Sequence, residues 1–207
     1  MTTELEVVDV ECIRGDRRLF SGLGLSLQAG QIQRIEGANG TGKTSLLRII
    51  CGLSLPESGE IFWQGQPIGR QRTNYCRNLA YIGHTHGIKL ELSPLGNLRT
   101  HVALGVSLPR VSFEEALQCV GLYPFRNYPC RTLSAGQHRR VAIARLVLSK
   151  ARLWVLDEPV TGIDQEGVQE IESLFESHTA HGGMIVFTSH QPLCSGLSAV
   201  RSLRIEP

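Results

Sequence analysis

The sequence predicts an α/β domain built on a parallel sheet, with a helical lobe inserted between two of its strands. Three observations carry this expectation. Strand-length segments rich in β-branched and apolar residues alternate with helical patterns. A glycine-rich loop joins one of those strands to a helix, and residues 84–149 hold helix patterns and turn residues without a convincing strand.

In chain order, Leu5–Ile13 and Leu23–Leu27 read as strands, followed by Ile32–Glu36. Gly42–Cys51 carries Leu46, Leu47, Ile49 and Ile50 at helical spacing and stops at Gly52, with Pro56 beyond it. Strands are expected again at Glu60–Trp63 and Leu79–Gly83. Within the lobe, Pro94, Pro109, Pro124 and Pro129 mark turns, and Ser112–Val120 opens with Ser112 three residues before Glu115, a capping-box pattern. Leu153–Leu156 is a strand of four apolar residues, the spacing expected of one buried on both faces. Gln165–His178 places Val168, Ile171, Leu174, Phe175 and His178 on one helical face, with Glu166 near the start. Met184–Thr188 and Val200–Ile205 close the list of expected strands.

The chain has 207 residues, which suits one domain (1–207) with a core lobe at about 1–83 and 150–207 and a helical lobe at about 84–149. Its 21 Lys+Arg against 19 Asp+Glu leave a net charge of +2, too small to be the electrostatic footprint of a nucleic-acid binder. No apolar stretch reaches the length of a membrane span, and the acidic start Met1–Glu6 lacks the pattern of a secretory signal, so a cytosolic protein is expected. The six cysteines form no Cys-x-x-Cys pair and are expected to be reduced thiols.

Gly37-Ala38-Asn39-Gly40-Thr41-Gly42-Lys43-Thr44 fits the phosphate-loop pattern, and Ser45 follows it into the helix. Glycines let the backbone N–H groups curl around phosphates, and the helix N-terminus adds a favourable partial charge. Lys43 is expected to reach the β- and γ-phosphates of a nucleotide and the Thr44 hydroxyl to ligate Mg²⁺. Leu153–Leu156 delivers Asp157 and Glu158 to the carboxyl end of a strand, where open α/β sheets place their ligands. Asp157 is expected to hold Mg²⁺ directly or through water, and Glu158 to orient and deprotonate an attacking water. Leu133-Ser134-Ala135-Gly136-Gln137 puts a Ser and a Gly at another helix N-terminus, a second phosphate contact that is surplus to the chain's own loop and is therefore offered to a partner chain.

With these motifs in this order, nearly the whole chain resembles the ABC-type ATPases, the nucleotide-binding subunits of ATP-binding-cassette systems. Leu133–Gln137 is similar to the family signature, with Ala135 where glycine is usual. Thr161–Asp164 is similar to the loop after the catalytic glutamate, and Thr188-Ser189-His190 to the switch histidine. The resemblance implies a phosphate-loop NTPase fold with a mostly parallel core sheet, an antiparallel β portion and the inserted helical lobe. It also implies ATP and Mg²⁺ sandwiched head to tail between two copies. Lys43, Thr44, Asp157, Glu158 and His190 of one copy would face Ser134, Gly136 and Gln137 of the other, with Asp164 beside the nucleotide.

Two positions depart from the family pattern. His84 stands where glutamine is usual, at the junction of core and lobe. A neutral imidazole can make one hydrogen bond toward Mg²⁺-bound water, where an amide offers both a carbonyl and an NH₂. His84 with His86 also reads as a metal or haem pair, although two histidines alone make a poor site. The aromatic that usually stacks on adenine maps at or near Arg14, whose guanidinium either stacks on the base or sits in solvent as a loop cation.

Trp63–Pro67, Gly83-His84 with Gly87–Lys89, the arginines after Gln137 and Thr188–Leu193 together resemble the ATP-binding subunit of the bacterial haem exporter of cytochrome c biogenesis. That resemblance implies integral membrane subunits as partners, attachment through them to the cytoplasmic face of the inner membrane, and an ATP cycle that drives haem export or release of a haem-loaded chaperone. ABC ATPases that serve other small cargoes, or that remodel soluble complexes, remain the alternative, with Arg139, Arg140 and Arg145 as a conceivable nucleic-acid patch.

Overall fold

The computed structural model describes residues 3–104, 111–190, 193–194 and 200–206, so Pro109 and the Gln191-Pro192 pair lie outside the described residues. The chain begins with a hairpin of β1 (Leu5–Arg14) and β2 (Arg17–Leu27), then β3 (Ile32–Glu36), helix α1 (Lys43–Ile50), β4 (Ser58–Trp63) and the two-residue β5 (Gln66–Pro67). Helix α2 (Arg72–Arg77) precedes β6 (Leu79–Ile82). Helices α3 (Pro94–Ala103), α4 (Phe113–Gln118) and α5 (Ala135–Leu148) come next, with β7 (Leu153–Asp157), α6 (Gln165–Ala180), β8 (Met184–Thr188) and β9 (Val200–Arg204) completing the described elements.

The strands form two sheets. One is antiparallel, in the order β2-β1-β4-β5, and the other is parallel, in the order β6-β7-β8-β3-β9. Alternation along the parallel strands separates two cores. Leu153, Val155, Met184 and Val186 face α1 and the antiparallel sheet, while Trp154, Leu156, Ile185 and Phe187 face the layer that includes α5 and α6. All five residues of β7 and of β8 are buried, the double-sided burial expected of central parallel strands. Helix α1 buries Leu46, Leu47, Ile49 and Ile50 between the two sheets, each contributing about 1.5–3 kcal/mol of transfer free energy. That burial fixes α1, and with it the loop that precedes it.

Expected and observed elements differ in instructive ways. Strand β2 begins at Arg17, not Leu23, because Arg17, Arg18, Ser21 and Gly22 face solvent on an edge strand and so break the apolar pattern. Strand β5 and helix α2 were not expected; the first is two residues long and the second buries only Tyr75, whose hydroxyl donates to the Ile50 carbonyl at 2.7 Å. Between β6 and β7 come α3, α4 and α5, with two short 3-10 turns, Tyr123–Phe125 and Cys130–Thr132, between α4 and α5, and no strand occurs there among the described residues. The capping box at Ser112 and Glu115 forms as its spacing implies. On α6, Ile171 and Phe175 are buried and the His178 ring stacks on Trp154, with centroids 3.7 Å apart.

Gly59 shows how tightly β1 and β4 approach. Its φ is +84°, and a Cβ there would overlap the Asp9 and Val8 carbonyls, backbone atoms that cannot rotate aside. Gly59→Ala is therefore expected to lower unfolding free energy by about 2–4 kcal/mol, read as a fall in the urea midpoint with an unchanged slope. An unchanged midpoint would contradict the close approach.

Candidate active site

In the parallel sheet, β8 lies between β3 and β7, so the loop after β3 and the acids after β7 flank its carboxyl end. That loop wraps the N-terminus of α1. Gly37, Gly40 and Gly42 all have positive φ, and a Cβ on Gly37 would come within 2.7 Å of Thr41 Oγ1 and 2.9 Å of the Ile205 carbonyl oxygen. Gly42 caps α1 in the left-handed conformation, with no side-chain capping hydrogen bond at that helix end. Thr41 is buried and donates its hydroxyl to the Ala38 carbonyl at 3.0 Å, which holds the loop closed on itself. Lys43 is 9% exposed, and its ammonium donates to the carbonyls of Gly37 at 2.7 Å and Ala38 at 3.1 Å.

The hydroxyl of Thr44 donates to Asp157 Oδ2 at 2.8 Å, bridging α1 to β7. The other Asp157 oxygen accepts from Thr188 Oγ1 at 2.7 Å, and the same Thr188 oxygen accepts the Glu158 N–H at 2.9 Å. One fully buried hydroxyl thus orients both acids, a role its register opposite Asp157 allows. Glu158 turns away from the strand with φ +53°, a left-handed conformation that a non-glycine residue adopts at some energetic cost. Its Oε2 accepts from the His190 N–H at 3.3 Å and from Thr161 Oγ1 at 3.5 Å. Glu158 Oε1 is buried without a hydrogen-bond donor among the described residues, and the His190 Nε2 stands 3.5 Å from it. Lys43, Thr44, Ser45, Asn39, His84, Asp157, Glu158 and His190 all line one cavity of about 470 Å³. Leu19 also lines it, a contact with no signal in the sequence. Arg14 instead ends β1 at the exposed hairpin opposite Arg17, outside the lining of this cavity.

Ser134, Gly136, Gln137 and Asp164 line a different cavity, of about 720 Å³. Ser134 caps α5, accepting the Gln137 N–H at 3.2 Å, while Gln137 Oε1 accepts the Ser134 N–H at 2.8 Å. That leaves the Ser134 proton and the Gln137 NH₂ group as donors not used by the capping box. Gly136 is seated so close to the loop after Glu158 that a Cβ would overlap the Gly162 carbonyl oxygen. Asp164 caps α6 by accepting the Gly167 N–H at 3.0 Å, and its carboxyl, held below the usual range by that bond and by Arg140, pairs with the Arg140 guanidinium.

The three arginines of α5 are committed inside the chain. Arg139 is buried against the Gly83 and Asp157 carbonyls, Arg140 pairs with Asp164 and Glu170, and Arg145 donates to the His86 and Gly87 carbonyls. No group of three or more His, Cys, Asp or Glu arranged to hold a metal ion occurs among the described residues, so His84 and His86 gain no further ligand there. Burial, with Arg139, His138, His84 and Arg145 nearby, pushes the His86 imidazole down to about 4 from its ordinary value near 6.5. A group with a depressed folded-state value takes up its proton first in the unfolded chain. Stability is therefore expected to fall as pH drops from about 6.5 toward 4, with His101 acting in the same direction. His86→Gln should flatten that part of a melting-temperature profile and leave the value at pH 8 nearly unchanged; an equally steep acid limb would refute the assignment.

Among known proteins, the ABC transporter family model matches residues 20–161. The chain is 51% identical over 185 residues to the cytochrome c biogenesis ATP-binding export protein CcmA of Methylococcus capsulatus, covering 89% of each chain. It is 47% identical over 202 residues to the cytochrome c biogenesis ATP-binding export protein CcmA 2 of Salmonella paratyphi A, covering 97% of this chain and 96% of that one. Among solved structures it resembles cbiO1 from Clostridium perfringens, part of the ABC transporter complex cbiONQ. The TM-score is 0.79 at 24% identity, over 99% of this chain and 87% of that one, a likeness of fold.

Proposed function

Because the chain belongs to the ABC transporter family, among its ATP-binding proteins, we propose that it is the ATP-hydrolysing subunit of a membrane complex of cytochrome c biogenesis, coupling ATP hydrolysis to haem export or to release of a haem-loaded chaperone. The observation that carries the hydrolytic part is the Thr44–Asp157 hydrogen bond, with Lys43 in the phosphate loop on one side and Glu158 on the other. The names of its relatives, cytochrome c biogenesis ATP-binding export proteins, carry the assignment to that system.

Phosphoryl transfer to water asks a protein mainly for positioning and electrostatic stabilisation. The loop from Gly37 to Ser45 holds the phosphates by backbone N–H groups, and the Lys43 ammonium exchanges its two carbonyl partners for phosphate oxygens. Thr44 and Asp157 supply the hard oxygen donors that suit Mg²⁺, which when bound neutralises charge on the phosphate oxygens. Glu158 accepts a proton from the attacking water, and His190 keeps its carboxylate in place. His84 reaches the same cavity from the end of β6 and offers one hydrogen bond toward the nucleotide. Arg14 is the remaining candidate to cover the base.

Ser134, Gly136 and Gln137, with Asp164, lie in a separate cavity and would complete the ATP site of a second copy bound head to tail. No helix among the described residues is long and apolar enough to cross a membrane. The chain would reach the cytoplasmic face of the inner membrane through integral membrane subunits. Nucleic acid is not among the proposed partners, and the commitment of Arg139, Arg140 and Arg145 to partners within the chain supports that reading. Affinity purification of the tagged chain from detergent-solubilised membranes tests it: multi-span proteins and haem-handling components are expected to come with it. Recovery of a different cargo system would overturn the haem assignment and leave the ATPase.

A further inference from the structure

Arg139 is 2% exposed, yet makes no ion pair among the described residues. Its Nη1 donates to the carbonyls of Gly83 at 3.1 Å and Asp157 at 3.4 Å, and its Nε is buried with no partner among the described residues. Burial lowers the pKa of this guanidinium, with Asp157 and Glu158 opposing the shift. Placing a full cation there is expensive, and an apolar side chain would fill the space more cheaply in free energy. What an apolar chain cannot do is hold two carbonyls that come from the ends of two different strands, a task that suits the rigid fork of a guanidinium.

The identity of those carbonyls gives the arrangement its meaning. Each belongs to the peptide unit that leads directly into a residue lining the phosphate cavity, Gly83 into His84 and Asp157 into Glu158. The 157–158 peptide is held at both ends, its carbonyl by Arg139 and its N–H by Thr188 Oγ1 at 2.9 Å. That double restraint sets the plane from which Glu158 departs at φ +53°. Arg139 itself sits in the second turn of α5, the helix whose first turn is capped by Ser134 and Gln137.

We propose that Arg139 is a positioning residue for hydrolysis, aligning Glu158 and His84 through their preceding peptide units and making that alignment depend on where α5 is seated. The inference rests on the ATPase reading above. A shift of α5 would then be felt at Glu158 through one side chain, without any change in how the phosphate loop binds nucleotide.

The test measures Mg-ATP turnover and nucleotide affinity for the wild-type chain, Arg139→Ala, Arg139→Gln and Arg139→Lys. Expected is a fall in kcat of about tenfold or more, the scale of small misplacements of a reacting group, with nucleotide Kd changed by less than about twofold. Arg139→Lys, which keeps the charge and stem but not the fork, should still lose most of kcat and should melt close to wild type. Free guanidinium at low millimolar concentration should restore part of the turnover of Arg139→Ala and none of that of Arg139→Lys, whose side chain fills the gap. Wild-type turnover in Arg139→Lys, or parallel losses of kcat, affinity and melting temperature with no guanidinium response, would overturn the positioning role. Absence of turnover in the wild-type chain purified together with its membrane subunits would instead sink the ATPase reading, and this inference with it.

Discussion

Glu158→Gln is expected to bind Mg-ATP about as well as the native chain and to hydrolyse it at least about 100-fold more slowly, the contribution typical of a general base. The substitution is nearly isosteric. Its side chain can still accept from the His190 N–H and the Thr161 hydroxyl, and its backbone N–H still reaches Thr188, so the local fold and the left-handed kink survive. What is lost is the capacity to take a proton from water. Single-turnover hydrolysis with a direct nucleotide-binding measurement separates the two effects. Because the nucleotide persists, the variant should also accumulate an ATP-dependent dimer in light scattering. Normal turnover would remove Glu158 from the role of base, and a strictly monomeric ATP-bound variant would count against the two-copy site.

Lys43→Ala is expected to act on the other parameter, weakening ATP binding by about 10- to 100-fold, as the loss of charge-assisted hydrogen bonds to phosphate should. The native ammonium already lies inside the loop, on the Gly37 and Ala38 carbonyls, so little reorganisation is needed to meet a phosphate. Its removal takes away the lysine that lines the cavity and leaves those carbonyls without the ammonium donor. Calorimetric titration with ATP, alongside ADP as the ligand without a γ-phosphate, should show the larger loss for ATP. Equal, unchanged affinities would mean that Lys43 does not contact the terminal phosphates.

The two variants bear on residues that could be read from the chain because their chemistry is local. A phosphate loop is eight consecutive residues, and a buried strand ending in two acids is six, so spacing alone placed Lys43, Thr44, Asp157 and Glu158 near strand ends. Their meeting, through Thr44 and Asp157, depends on β8 lying between β3 and β7, which a linear pattern does not state. The same limit hid Leu19 and the dual role of Thr188. It also left open the arginines of α5, whose charge suggested a surface patch when two of them bind carbonyls and the third a pair of carboxylates. In the fold, strong periodicity revealed α6 and the parallel strands. Elements with one exposed face or few residues, β2 before Leu23, β5 and α2, carried too little apolar patterning to be seen.

The first turn of α5 has a further consequence. Ser134 and Gln137 satisfy each other's backbone N–H, and Gly136 rests against the Gly162 carbonyl, so the turn needs nothing from outside to hold its shape. An anion arriving there meets a surface that is already ordered, and the association loses little conformational entropy from this side. In the proposed two-copy site, most of the disorder to be removed would then lie in bringing the two copies together, so the strength of their closure should depend far more on the charge and geometry of the nucleotide than on any folding of the loop that receives it.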